Sequence, residues 1–222
     1  MNTQVINFYT KKQASEITGS VTQTSKMPCK SYSLPTEACI TGAKLARDKS
    51  SICGNCYANK GFYKMYAKTI KPVQNKRLES INHPDWVSAM VTLIGNDSYF
   101  RWHDSGDLQG VDHLRKIAQI TIALPKTLFW LPTREYGIVK QYIGLYGALP
   151  DNLIVRLSAF YVDRPVIIPK SLQGYSNILA SNVHDKSAPV GMPCNAPNQG
   201  GECKDCRACW NKDVKAVSYG MH

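Results

Sequence analysis

Eight cysteines are the residues of this 222-residue sequence whose spacing most clearly predicts chemistry. The front group comprises Cys29, Cys39, Cys53 and Cys56, and the rear group comprises Cys194, Cys203, Cys206 and Cys209. The front group ends in a CxxC motif, and the rear group ends in a CxxCxxC run. Because a CxxC turn brings two thiolates to one metal, both groups predict metal binding.

The rear spacing favours a four-iron, four-sulfur cluster. A closely similar run binds such clusters in bacterial ferredoxins, where a remote cysteine completes the ligand set, and Cys194 would take that part here. Zinc is the alternative metal, although its sites typically use two separated CxxC pairs. Structural disulfides require export, and residues 1–10 lack the pattern of an export signal. We therefore expect a cytoplasmic protein with reduced thiols.

Polar residues also gather where predicted strands end. They are His103, Asp104, Ser105, Asp107, Arg134, Glu135, Arg156 and Ser158. Ligands of parallel α/β folds bind at the carboxyl ends of strands, so these residues predict one site wall. Arginines there suit a carboxylate or phosphate, and the acids suit a hydroxyl or ammonium group. Helix capping is the alternative for the residues after the first strand. The pattern predicts a small-molecule or nucleotide-related substrate and no specific reaction.

The elements that must position these residues alternate between strand and helix. Apolar periodicity predicts strands over 98–103, 127–131, 152–158 and 176–182, and helices over 61–80, 84–94, 111–122 and 135–146. Pro72 is expected to kink or interrupt the first of these helices. Residues 1–50 are polar and irregular in pattern. Alternation of this kind predicts an α/β fold with a parallel sheet.

The composition of the chain divides it into three parts. Residues 1–25 form an N-terminal segment with little predicted regular structure, residues 26–182 form the α/β body, and residues 183–222 form a cysteine-rich segment. Residues 1–82 carry 13 Lys and Arg against 4 Asp and Glu, a balance of +9. This charge predicts an anionic partner, such as nucleic acid, a nucleotide or a phosphorylated substrate, and a basic surface that aids solubility is the alternative. No run of about 18 apolar residues occurs, so we expect no membrane association.

Several long motifs resemble a phage protein family known as gene product 88. They are SYSLP at residues 31–35, CGNCYA at 53–58, FRWHDSGDLQ at 100–109, FWLPTRE at 129–135, VRLSA at 155–159 and GGECKDCRACW at 200–210. The resemblance runs from about residue 26 to residue 222. That family is in turn similar to radical-SAM-like phage proteins. The resemblance implies a partial (β/α) barrel of parallel strands with an iron–sulfur cluster at its open face.

The same resemblance implies roles for individual residues. Cys39, Cys53 and Cys56 would hold a [4Fe-4S] cluster with one open iron, to which S-adenosylmethionine could bind. The rear cysteines would hold a closed auxiliary cluster. Tyr57, Ser105 and Ser158 would then contact the cofactor. The catalytic candidates are His103, Asp104, Asp107, Arg134, Glu135 and Arg156.

Three hypotheses about function remain open from the sequence. The first is a radical-SAM-like enzyme that takes electrons from an external donor. The second is a non-catalytic nucleic-acid-binding protein braced by zinc or iron–sulfur centres. The third is an iron–sulfur enzyme of another kind. Cys29 bears on all of them, because it either closes the front site as a fourth ligand or remains an unligated thiol.

Overall fold

The protein is built on an open, eight-stranded, mostly parallel sheet. A computed structural model describes residues 6–221, with the backbone alone for residue 62. The strands are β1 Thr22–Gln23, β2 Lys30–Tyr32, β3 Tyr99–Trp102, β4 Leu128–Thr133, β5 Leu153–Ser158, β6 Ile178–His184, β7 Met192–Pro193 and β8 Ala216–Gly220. Their order is β1-β2-β3-β4-β5-β6-β8-β7, and only the β1–β2 pair is antiparallel.

Seven helices accompany the sheet in the described part of the chain. They are α1 Lys11–Thr18, α2 Ile40–Leu45, α3 Gly61–Met65, α4 Ala67–Ser80, α5 Trp86–Ile94, α6 Val111–Ala123 and α7 Tyr136–Tyr146. Between residues 6 and 221, no helix has the length and apolar character needed to cross a membrane.

The predicted α/β class is confirmed. Strands β3 to β6 and helices α5 to α7 fall where the periodicity predicts them, and β3, β4, β5 and β6 are parallel neighbours. The sheet does not close on itself, because β1 and β7 are its two edges. The partial barrel implied by the resemblance therefore stays a prediction.

The two faces of the sheet are covered differently. Phe100 and Trp102 of β3 face the main core, which helices α4 to α7 complete. Trp130 of β4 faces the other way and packs with Cys29 and with Trp210 of the C-terminal segment. The indole N–H of Trp210 donates to the Phe100 carbonyl at 3.0 Å. The C-terminal segment therefore covers the face of the sheet that the helices leave open.

The structure corrects two expectations about the helices. Pro72 does not interrupt α4, which continues to Ser80; the break falls at Tyr66, where φ is −102° and ψ is 23°. The N-terminal region also has more structure than its polar pattern predicts, because Thr10 and Gln13 form a capping box that starts α1. Residues 1–5 of the predicted N-terminal segment lie outside the described residues.

The last part of the chain belongs to the same sheet. Strand β8 pairs with β6 over residues 180–184 and with β7 at Met192 and Pro193. Its register with β6 fixes the segment of residues 194–212 against the open face. The division of the chain at residue 183 stays a prediction about composition.

Candidate functional site

The front thiols of Cys39, Cys53 and Cys56 lie near one another and near Asp107 and Glu135, which follow β3 and β4. Cys39 ends a 3₁₀ turn and precedes α2 directly, while Cys53 starts a second 3₁₀ turn that leads to Cys56. Within that turn the Cys56 N–H donates to the Cys53 carbonyl at 3.2 Å. Burial raises the pKa of Cys39 to about 12, and the nearby Asp107 and the two other thiols add to the shift. The three thiols therefore share one electrostatic environment.

Glycines make the room that these thiols occupy. A Cβ at Gly42 would stand 3.0 Å from the Cβ of Cys39 and 3.5 Å from the Sγ of Cys53. A Cβ at Gly54, inside the CxxC turn, would overlap the backbone carbonyl of Asp48. The front loops are thus folded so closely that a side chain at either position would press on the thiols or on their turn.

Asp107 is the hydrogen-bonding centre of the wall beside these thiols. Its Oδ1 accepts the Thr133 hydroxyl at 2.6 Å and the Leu108 N–H at 2.8 Å, and its Oδ2 accepts the Arg134 N–H at 2.9 Å. Burial nevertheless raises the pKa of Asp107 to about 6, against the lowering effect of these hydrogen bonds. A carboxyl group of that pKa can exchange a proton near neutral pH.

Glu135 fixes the loop that carries Cys39. Its two carboxylate oxygens accept the N–H and the hydroxyl of Thr41, at 2.7 and 2.8 Å. Glu135 is buried, and Thr41 lies two residues after Cys39. These two hydrogen bonds give Glu135 a positioning role towards Cys39, and its catalytic role stays a prediction.

Arg134 supplies positive charge beside the front thiols. Its Nε donates to the Ala159 carbonyl at 3.0 Å, which holds the guanidinium at the end of β5. Burial raises the pKa of Cys53, and the Arg134 charge opposes that shift. Arg134 therefore favours the thiolate form that a metal requires.

The four rear thiols line a single cavity, as their spacing predicts. Its wall consists of Pro193, Cys194, Asn195, Ala196, Gln199, Cys203, Cys206, Ala208, Cys209, Trp210 and Val217. The Cys206 N–H donates to the Cys203 carbonyl at 2.9 Å, and the Cys194 N–H donates to Ser218 of β8 at 2.8 Å. The turn at Cys203 and the contact of Cys194 with β8 thus bring cysteines from two separate stretches of the chain to one cavity.

Arg156 belongs to the rear group and not to the predicted site wall. It lies within β5 and is fully buried, and its guanidinium donates to the backbone carbonyls of Ala208, Cys209 and Asn211 at 2.7 to 3.0 Å. A fourth bond joins it to Ala180 at 3.2 Å. Since side chains alternate along a strand, the residue faces the C-terminal segment instead of the front thiols.

Cys29 also lies with the rear group. It is buried against Trp130 and Trp210, and the charges that act on it are those of Arg101, Cys203, Asp104 and Asp97, with Cys203 the one thiol among them. Burial raises its pKa to about 12. No charge of a front thiol contributes to that shift in the described residues. The alternative in which Cys29 completes the front site has no geometric support.

The family model described as Gene product 88 matches residues 5–212 of the chain. The chain belongs to this family. No curated protein and no solved structure matches it. The resemblance to gene product 88 is therefore confirmed, whereas the similarity to radical-SAM-like proteins receives no support and stays a prediction.

Three other predicted site residues of this Gene product 88 chain are engaged in contacts of their own, and a fourth, Asp104, lies beside the front loops. His103 is buried and packs its ring against His113 of α6, with 5.3 Å between ring centroids. Ser105 accepts from Gln74 and donates to the Leu34 carbonyl, both at 2.8 Å. Ser158 hydrogen-bonds Ser181 at 3.1 Å. The contacts of these three residues are not with the front thiols. Asp104 accepts the hydroxyl of Tyr63 at 3.0 Å, beside the front loops.

Arg101 connects the two thiol groups and was not predicted from the sequence. Its Nη2 is 3.4 Å from the hydroxyl of Tyr57, the residue that directly follows Cys56. The same hydroxyl donates to the Asp104 carbonyl. Its guanidinium stacks 4.4 Å from the Trp130 ring centroid, and its charge also acts on Cys203. The one available signal was alternation in β3, which turns Arg101 away from the main core.

Within residues 6–221, no group of three or more His, Cys, Asp or Glu side chains could hold a single metal ion. Four thiolates on one tetrahedral zinc stand only about 3.8 Å from one another, given a zinc–sulfur bond of about 2.3 Å. A four-iron cluster requires a wider arrangement of thiolates than a single ion does.

Proposed function

We propose that this protein is an iron–sulfur protein with two clusters, one open and one closed. The convergence of Cys39, Cys53 and Cys56 beside Asp107 and Arg134 is the observation that carries the proposal. Three sulfur donors in one place fit a cluster that keeps one iron free for a ligand. The space that Gly42 leaves beside two of these thiols supports the same assignment.

The position of Cys29 supports an open front cluster. A fourth thiolate would occupy the free iron, and Cys29 is the one other cysteine close in sequence. Because it packs between Trp130 and Trp210 instead, the front donor set stays at three. No further cysteine lies within the front loops, residues 36–60.

The rear group fits a closed cluster held by Cys194, Cys203, Cys206 and Cys209. All four thiols face one cavity, and the donor set consists of sulfur alone. Burial raises the pKa of Cys209 to about 11, while the hydroxyl of Tyr219 at 3.2 Å and the charge of Arg156 oppose that shift. Such donors and cations stabilise the thiolates of a buried cluster and tune its reduction potential.

The surroundings of the front thiols suit a ligand that carries both a positive and a negative group. An open iron can chelate an amino and a carboxylate group, as in S-adenosylmethionine, and can pass an electron to the bound ligand. Arg134 would pair with a carboxylate or phosphate of such a ligand. Asp107, with its pKa of about 6, would hold or release a proton beside it. Radical chemistry on a nucleotide-related substrate, driven by an external electron donor, is the enzyme class proposed.

Metal and sulfide analysis after anaerobic purification tests this proposal. We expect about eight irons and a similar amount of acid-labile sulfide per chain. About two zinc ions and no iron would contradict it and favour structural zinc sites.

A pair of matched cysteine variants tests the open front site. Cys39→Ala should lower the iron content by about half, because one cluster loses a ligand. Cys29→Ala removes a thiol of the same kind and should leave the iron content unchanged. Equal iron losses in the two variants would contradict the assignment of Cys29 as an unligated thiol.

A further inference from the structure

A lysine-rich segment follows directly on the front thiols. Residues 57–77 contain no Asp or Glu at all and six basic residues. These are Lys60, Lys64, Lys68, Lys71, Lys76 and Arg77. The segment forms a short 3₁₀ turn, α3 and most of α4. Six of the 13 Lys and Arg residues of positions 1–82 therefore lie in this one segment.

Four of these lysines follow one another along the segment. Lys60 directly precedes α3, Lys64 lies within α3, and Lys68 and Lys71 lie about one turn apart in α4, beyond the break at Tyr66. All four are exposed. The inner flank of α4 buries Gln74, Arg77 and Ser80. The basic stripe of Lys60, Lys64, Lys68 and Lys71 therefore faces solvent.

Little of this positive charge is neutralised within the protein. Lys71 pairs with Glu37, at 2.5 Å from its Oε1. Among the described residues, Lys60, Lys64 and Lys68 have no carboxylate within 4.0 Å. Three adjacent unpaired cations repel one another, and an anionic partner would relieve that repulsion.

Large exposed side chains accompany the basic stripe. Tyr57 is 53% exposed, Met65 is 72% exposed and Tyr66 is 49% exposed. Exposed tyrosine rings next to cations are the means by which proteins hold single-stranded nucleic acid, because bases stack on the rings while cations contact the phosphates. A solvated charged face needs no such rings.

We infer that the basic stripe and its tyrosines bind single-stranded nucleic acid. Phosphates would contact Lys60, Lys64 and Lys68, and bases would stack on Tyr57 and Tyr66. Stacked, paired bases of a duplex do not expose their faces to such rings, so a single strand is the preferred form. Since Tyr57 adjoins Cys56, a bound strand would lie beside the front thiols. The inference holds whatever metal those thiols bind.

Fluorescence anisotropy with a labelled single strand of about 15 nucleotides tests the inference on the full chain. Three to four phosphate contacts predict a slope of about −2 to −3 in a plot of log K against log salt. A labelled duplex of the same sequence should bind more weakly. A flat salt response, or tighter binding of the duplex, would overturn the inference.

Matched charge variants locate the binding surface. The double variant Lys64→Gln/Lys68→Gln should make the slope shallower by about 1.4, because two contacts are lost. The control, Lys126→Gln/Lys140→Gln, removes the same charge from exposed positions elsewhere in the fold. Equal affinities of the two variants for the oligonucleotide would overturn the inference.

Ring variants separate stacking from charge. Tyr66→Ala should weaken binding by at least about fivefold, whereas Tyr66→Phe keeps the ring and should bind like the unchanged protein. Equal affinities for both variants would contradict the proposed stacking. Binding to vesicles of anionic lipid without any binding of the oligonucleotide would show a membrane surface instead and overturn the inference.

Discussion

Glu135 and Thr41 join the end of β4 to the loop that carries Cys39. The Glu135 carboxylate accepts the Thr41 N–H at 2.7 Å and the Thr41 hydroxyl at 2.8 Å. The two residues are 94 positions apart in sequence. The contact explains how a cysteine far from the CxxC motif is held next to it, since the front loop is fixed to the sheet instead of to its own neighbours.

Replacing Glu135 by Gln should loosen this loop. The amide can accept one of the two hydrogen bonds but offers a weaker, uncharged acceptor, so we expect a loss of about 2 kcal/mol in the free energy of unfolding and a lower front iron content. Denaturant titration and iron analysis measure both effects. The control Glu37→Gln alters an exposed ion pair and should cost less than about 1 kcal/mol. Similar results for the two variants would refute the positioning role.

Substitution of Gly42 by Ala should disturb the front thiols specifically. The added Cβ would stand 3.0 Å from the Cβ of Cys39, so that residue must shift. We expect front iron content to fall while the rear cluster remains. Gly144→Ala in α7 meets no atom within 4 Å and should raise stability by about 0.5–1 kcal/mol. Unchanged iron content in Gly42→Ala would contradict the assignment of this space to a cluster.

Arg156 should prove essential for the rear segment. Arg156→Met would leave four backbone carbonyls without their donor, so we expect a loss of about 3–5 kcal/mol in unfolding free energy and loss of the rear cluster. Arg156→Lys keeps the charge but lacks the planar set of N–H donors, so it should restore little of the stability or of the rear cluster. The exposed Arg164 offers a control through Arg164→Met. Retention of both clusters in Arg156→Met would refute this account.

The buried histidine pair predicts loss of stability in acid. Burial lowers the pKa of His113 to about 3 and that of His103 well below its usual value. Both histidines are therefore neutral in the fold, and the stability they contribute above about pH 6.5 is lost as the pH falls towards 3. For His113 alone, lowering the pH from about 6.5 to 3 should decrease the free energy of unfolding by roughly 4–5 kcal/mol.

His113→Asn tests that pH dependence. The amide oxygen can replace Nδ1, which accepts the Gln109 N–H at 3.3 Å, but the side chain no longer titrates. The decline of unfolding free energy between pH 6.5 and 4 should be shallower than in the unchanged protein. His83→Asn changes an exposed histidine and serves as the control. Equal slopes for both variants would contradict the role of burial.

Local patterns in the sequence predict much of this molecule. The alternation of strands and helices between residues 98 and 182 follows from apolar periodicity, and the four rear thiols share a cavity as their spacing suggests. These signals lie within short stretches, where backbone geometry alone sets the spacing of side chains.

Non-local pairing accounts for what the sequence did not predict. Cys29 lies near the front cysteines in sequence, yet the register of Ser31 with Arg101 places its strand against the rear segment. Arg156 ends on the face opposite the site wall for the same reason, since strand register decides which face a side chain takes. Residues 11–18 have too weak an apolar stripe to be recognised without their contacts to α5.

The EPR spectrum of the reduced front cluster tests the central claim most directly. In the variant Cys203→Ala/Cys206→Ala the rear cluster is removed, and we predict that about four irons remain, bound by Cys39, Cys53 and Cys56. Addition of S-adenosylmethionine should then change the g values of the signal, because it would bind to the iron that has no cysteine ligand. Absence of remaining iron, or a signal that S-adenosylmethionine leaves unchanged, would contradict an open front cluster.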